Sequence, residues 1–183
     1  MTTRNFLCIL LVIATIGCSF SQEKKKEKST IKHTNTTTTI DMKKENPVYS
    51  RTDSNKVSLP ETEWSKVLDP EVFRVAREKG TERPWSSEFE KSKDIGTFYC
   101  KVCGNPLFQS DTKFESGCGW PSFFKPITET SLIYHKDSTH GMTRTEVVCG
   151  RCESHLGHVF DDGPPPTHMR YCINGVVLDF EKK

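Results

Sequence analysis

Eight cysteines carry most of the chemistry that this 183-residue chain could offer. Cys8 and Cys18 sit in an apolar N-terminal run. Cys100 with Cys103 ("CKVCG") and Cys149 with Cys152 ("CGRC") form two C-x-x-C knuckles, separated by 45 residues. Each knuckle presents two sulfurs from one tight turn. Two such turns brought together make a tetrahedral four-sulfur site, the geometry zinc prefers. Gly104 and Gly150 supply the small residues that these turns tolerate. The alternatives are a redox knuckle or two disulfides. A redox C-x-x-C more often opens a helix in a βαβ unit, and neither knuckle does. Disulfides carry weight if the chain is exported. Ligand count and spacing favour zinc. Surrounded by four thiolates, such a metal is structural and leaves the chemistry to other residues.

Cys118 and Cys172 remain as singletons. Cys172 lies in "RYCIN", two residues after Arg170. In an extended segment the two side chains share a face. A nearby cation lowers a thiol's pKa and raises its reactive thiolate fraction. Cys118 lies in "SGCGWPSF", between Gly117 and Gly119, in a turn free to move. Spacing alone leaves a redox pair and a static bridge equally open. His155 and His158 stand at i and i+3 in "SHLGH". Their bland roles are core hydrogen bonding or metal ligation, but four cysteines already serve a metal. A histidine donates a proton near neutral pH. A thiolate with proton donors suits attack on an electrophilic centre whose leaving oxygen must be protonated. Trp120 offers an aromatic wall for a small apolar group, although core packing is the plainer reading.

The elements that must hold these residues are short. "LDPEVFRVAREKG" predicts a helix: Asp69 caps it, Pro70 fits its first turn, and Glu71 suits the positive end of its dipole. Val72, Phe73 and Ala76 give part of an apolar face, and Lys79–Gly80 mark the stop. "TERPWSS" is a loop, with Trp85 expected to pack onto the core. From Gly96 onward come β-rich runs, "GTFYC", "PLFQS", "SLIYHK", "RTEVVC", "HVFDD" and "VVLDF", divided by Gly, Pro, Asp and Ser. The fold class is therefore mainly β, with small antiparallel sheets and a short N-terminal helical segment.

Charge is uneven along the chain. Residues 1–59 hold ten Lys/Arg against five Asp/Glu; residues 60–183 hold sixteen against nineteen. The acidic part shows no basic stripe, which argues against nucleic-acid binding by phosphate neutralisation. Residues 1–21 read as a signal peptide, with Arg4 ahead of an apolar run from Phe6 to Ile16. That run is shorter than the ~20 apolar residues of a membrane span. "TIGCS" resembles a bacterial lipoprotein signal, with cleavage before a lipid-bearing Cys18, although Thr15 departs from the usual aliphatic residue. Ordinary cleavage after "SFS" is the alternative. Residues 22–59 form a polar tether that cannot bury enough surface to offset its ordering entropy, so disorder is expected there. Residues 60–183 suit one domain. The expected location is the bacterial cell envelope, as a membrane-anchored lipoprotein or a periplasmic protein.

Four segments, "FRVAREKGTERPW", "GTFYCKVCGNPLFQSDTKFESGCGWPSFFKPI", "STHGMTRTEVVCGRCESHLGHVFDDGP" and "RYCINGVVLDF", resemble the B-type methionine sulfoxide reductases, the peptide-methionine (R)-S-oxide reductases. The resemblance covers residues ~60–181 in order. It implies Cys172 as the catalytic nucleophile and Cys118 as the resolving thiol. It implies Trp120 as the holder of the substrate methyl, and His155 and His158 as hydrogen-bond partners of the sulfoxide oxygen. Arg170 and Asn174 become polar groups beside the catalytic thiol, and Cys100, Cys103, Cys149 and Cys152 become ligands of a structural zinc. The implied fold is two small antiparallel sheets with the metal away from the catalytic centre. The implied partners are oxidised proteins or peptides and a thioredoxin-like reductant, and the chain is expected to act as a monomer. Gly175 departs from the family pattern, where Ser is common. A zinc-ribbon binding module explains four cysteines but not the other two. A general disulfide oxidoreductase needs neither the histidines nor Trp120.

Overall fold

The computed structural model describes residues 46–183. The signal peptide, Cys18 and the first part of the tether lie outside the described residues. Two short helices come first, α1 (Glu61–Val67) and α2 (Pro70–Ala76). Asp69 caps α2 as its sequence predicts, its side chain accepting from the Glu71 backbone N–H at 2.9 Å. The helix ends at Ala76, a few residues early, and Lys79 adopts a left-handed φ of 56°.

Helix α1 is not legible in the sequence. "ETEWSKV" shows one large apolar residue per two turns, too few for a period. Its stability comes from Trp64, which is fully buried and roofed by the Arg77 guanidinium 5.4 Å from the ring. The expected core tryptophan, Trp85, is instead 56% exposed. It holds a left-handed φ of 66° because its N–H is drawn 2.7 Å from the Gly119 carbonyl.

Nine strands follow: β1 (Gly96–Cys100), β2 (Pro106–Gln109), β3 (Lys113–Phe114), β4 (Ser122–Phe123), β5 (Leu132–Asp137), β6 (Arg144–Cys149), β7 (His155–Phe160), β8 (Arg170–Ile173) and β9 (Leu178–Lys182). They build two antiparallel sheets, ordered β2-β1-β9 and β3-β4-β8-β7-β6-β5. The fold is thus mainly β, as the residue pattern predicts, with the two antiparallel sheets that the resemblance implies and two helices where the pattern predicts one.

The core draws from both sheets and both helices. Phe108 of β2 stacks on Phe123 of β4 with centroids 4.2 Å apart, and Phe98 meets Phe123 edge-on at 5.0 Å. Truncating a buried ring of this kind costs about 3–5 kcal/mol. Strand alternation then fixes the neighbours. Phe123 pairs with Tyr171, so the next pair, Ser122 with Cys172, turns to the opposite face.

Residues 46–59 do not run free. They form a strap across the knuckles. The Ser50 N–H donates to the Cys103 carbonyl at 3.0 Å, and the Val57 N–H donates to the Arg151 carbonyl at 3.0 Å. Arg151, 3% exposed, sends its guanidinium to the carbonyls of Asn55, Val48, Ser50 and Cys103 and to the Asp53 carboxylate. Tyr49 donates to Asp179, and Arg51 pairs with Asp179 at 2.8 Å. Gly104, at φ 81°, lies so close to the Ser50 backbone that a Cβ there would collide with it. Few of these contacts are apolar, so a composition-based reading of disorder does not register them.

Candidate functional site

Cys100 and Cys149 end β1 and β6, Cys103 and Cys152 lie in the tight turns that follow, and all four are 0–3% exposed. Their sulfurs lie within 4.8 Å of one another. Cys100 and Cys152 approach to 3.7 Å, and Cys103 and Cys149 to 3.6 Å. A tetrahedron with Zn–S bonds of about 2.3 Å sets its sulfurs about 3.8 Å apart, so the cage fits such an ion. The neighbouring Cys103, Cys149 and Cys152 sulfurs, and then burial, push the Cys100 thiol well up. Such a dry group ionises together only around a cation. Four close cysteines that could hold a metal ion are the outcome of the two-knuckle reading.

The singletons also meet. Cys118 Sγ and Cys172 Sγ are 3.4 Å apart, both are free thiols, and both are partly exposed. Cys172 belongs to β8; Cys118 belongs to the turn before β4. The Ser116 hydroxyl donates to Cys118 Sγ at 2.9 Å, and Ser122 Oγ lies 3.5 Å from it. Burial opposes ionisation of Cys118, but bonds from Ser116, Ser122 and the Trp120 backbone, then Cys172, bring its pKa down to about 7. Burial, followed by the adjacent Cys118, pushes Cys172 up to about 12. The pair therefore sheds a first proton readily and resists losing a second.

Here the Arg170 expectation needs correction. Arg170 does favour the Cys172 thiolate, but burial and Cys118 outweigh it. Its guanidinium is also held by Asp162, with two bonds of 2.8 Å. Neither serine partner of Cys118 was singled out in the sequence, although both stand within four residues of it.

The register of the larger sheet lines up the remaining groups. Ser122 pairs with Cys172, Cys172 with His158, His158 with Glu146, and Glu146 with His135. Directly paired residues share a face, so a polar row crosses five strands with Cys172 inside it. His158 Nε2 lies 2.8 Å from Asp137 Oδ2, and His155 Nδ1 lies 2.8 Å from Glu146 Oε1. Carboxylate acceptors place the hydrogen on those nitrogens. Burial pushes His155 below its ordinary value, though Glu146 opposes this. Burial works against the Glu146 carboxylate, but Lys79 and His155 hold its pKa down. The Thr139 hydroxyl and N–H, then His158, keep Asp137 well below the usual carboxylate range.

Asp137 and Glu146 orient the histidines, and the sequence reading passed over both. The available signal for Glu146 was an acid directly ahead of the apolar end of the strand-like run "RTEVVC". Asn174 follows β8 and is 4% exposed, its Nδ2 donating to the Leu156 carbonyl at 3.0 Å. The Trp120 indole N–H donates to the Glu82 carbonyl at 3.3 Å. Gly175 has no room for the more common serine, because a Cβ there would overlap Ser87 Oγ.

The arrangement combines two thiols in contact, an aromatic ring and two carboxylate-held imidazoles. It can move electrons between sulfurs and a proton to an oxygen. The SelR domain family matches residues 68–182. The chain is 54% identical over 128 residues to a protein of Pseudomonas putida (strain W619) named peptide methionine sulfoxide reductase MsrB, covering 70% of this chain and 96% of that one. It is 58% identical over 117 residues to a protein of the same name from Pseudomonas syringae pv. syringae (strain B728a), covering 64% and 89%.

Proposed function

Because the chain belongs to the SelR-domain, MsrB family of peptide methionine sulfoxide reductases, we propose that it reduces methionine R-sulfoxide in oxidised proteins or peptides, with Cys172 as nucleophile and Cys118 as resolving thiol. The 3.4 Å contact between these two free thiols carries the reading.

The reduced pair holds one proton near neutral pH. Passing it across the sulfur contact to Cys118 leaves Cys172 as the thiolate. Cys172 attacks the sulfoxide sulfur while a proton reaches the oxygen through His158 or His155. The hydroxyl passes from the substrate sulfur to Cys172 Sγ as the sulfur–sulfur contact parts, so methionine leaves and Cys172 becomes a sulfenic acid. Cys118 attacks that sulfur, expelling water and forming the Cys118–Cys172 disulfide. A thioredoxin-like dithiol reduces the disulfide by exchange. Trp120 faces the substrate methyl, while Asn174 and Arg170 flank the nucleophile. Cys100, Cys103, Cys149 and Cys152 would hold a zinc ion, which would supply a structural clamp and no part of the reduction.

The test is an assay of the purified protein on separated R and S sulfoxides with a dithiol reductant. Consumption of the R epimer alone is expected; inactivity on both, or preference for S, overturns the reading. We also propose export to the bacterial envelope, from the character of residues 1–21. Mass spectrometry of the mature N-terminus distinguishes lipid on Cys18 from a chain starting at Gln22, and an intact leader on protein from cells rejects both.

A further inference from the structure

Glu82 touches neither sulfur, yet four of its atoms bind the site. Its backbone N–H donates to Asn174 Oδ1 at 3.0 Å, and its carbonyl accepts the Trp120 indole N–H at 3.3 Å. Its carboxylate accepts the Gly175 N–H at 2.6 Å and the Val176 N–H at 2.9 Å. The residue is 6% exposed and makes no ion pair among the described residues. Its charge is held by two backbone donors at the head of the turn that follows Cys172.

We propose that Glu82 is a positioning residue that fixes Trp120 against the Cys172–Asn174 segment, so that the substrate methyl and the nucleophile meet in register. The proposal rests on the reductase reading of this site. The loop that carries Glu82 grips the Cys118–Trp120 turn at a second point, through the Trp85 N–H on Gly119. A carboxylate can satisfy two facing N–H donors at once. A glutamine of the same shape cannot, because its NH2 would confront one of them. The side chain thereby sets the height of its own backbone, and that backbone carries the bonds to Asn174 and Trp120. Burial pushes the Glu82 pKa up against the two N–H bonds, the mark of a carboxyl kept in place at a cost.

The experiment compares kcat and KM for methionine R-sulfoxide in the wild type, Glu82→Gln, Trp120→Phe and the double variant. Zinc content and Cys172 alkylation without substrate are measured on each. Glu82→Gln should raise KM about tenfold and change kcat less than about threefold, with alkylation and zinc unchanged. Trp120→Phe keeps a ring but removes the bonded N–H. In that background Glu82→Gln should add no more than about twofold, because the two act through one contact. An unchanged KM, full additivity, or parallel loss of zinc and alkylation overturns the proposal. A wild type inactive on the R-sulfoxide refutes the reductase reading itself, a separate result.

Discussion

Among the described residues six thiols touch other thiols, in two groups whose sulfur spacings hardly differ: 3.6–3.7 Å across the knuckles and 3.4 Å in the pair. The knuckle sulfurs are four, buried and roofed by the strap. The pair is two, partly exposed, and bonded to serine hydroxyls at Cys118. Distance between sulfurs therefore does not decide their chemistry. Number and wrapping do: a closed tetrahedron has the shape to hold an ion, and an accessible pair is free to form and break a bridge.

The comparison breaks most sharply at Cys149 and Cys172. Cys149→Ser removes one corner of the cage, and we expect metal loss together with a fall in melting temperature of roughly 15 °C or more. Cys172→Ser should cut turnover by at least about 10³-fold while metal content and melting stay as in the wild type. Metal analysis, calorimetry and turnover on both variants check this; a zinc-free Cys172→Ser protein would erase the distinction. Cys118→Ser is milder. It should release one methionine per enzyme in a single turnover but stop thioredoxin-supported cycling. Absence of that first release would assign the two roles wrongly.

Smaller still is the effect of wrapping. Arg151→Ala leaves strap and knuckle carbonyls without their donor, which costs about 3 kcal/mol, or roughly 5–10 °C in melting temperature. Metal release to a chromophoric chelator should accelerate, and an unaltered release rate would separate the strap from the cage. The subtlest test is pH. A lowered thiol pKa means thiolate at lower pH, so iodoacetamide labelling of Cys118 should rise with pH and reach half its maximum near 7. Mass spectrometry that placed this midpoint near 9 would remove the shared proton from the account.

Much of this contrast was legible in the residues, and the rest has physical reasons for hiding. Two C-x-x-C turns announce a cage because ligand spacing is local. The strands of "GTFYC" and "RTEVVC" show themselves through β-branched and aromatic runs. Helix α1 does not, because its one fully buried residue, Trp64, creates no period. Trp64 and Trp85 have the same side chain, and only tertiary packing says which goes inside. Asp137, Glu146 and Glu82 escaped notice because strand register or a loop far along the chain brings them to the site. The thiol pKa order reversed the expectation from Arg170, since a charge two residues away counts for less than burial and a sulfur in contact. The strap was hidden by its polarity, and it begins ahead of the matched family segment at residue 68.

That strap is also an ordered event in time. Its anchor points reach Cys103, Gly150, Arg151 and Asp179, the last of them 130 residues beyond Tyr49. A ribosome delivers residues 46–57 well before Asp179, so this clasp fastens only after the strands between them have been made. An ion reaching the cysteines before that moment would meet an open door, and the same ion leaving afterwards would meet a bolted one.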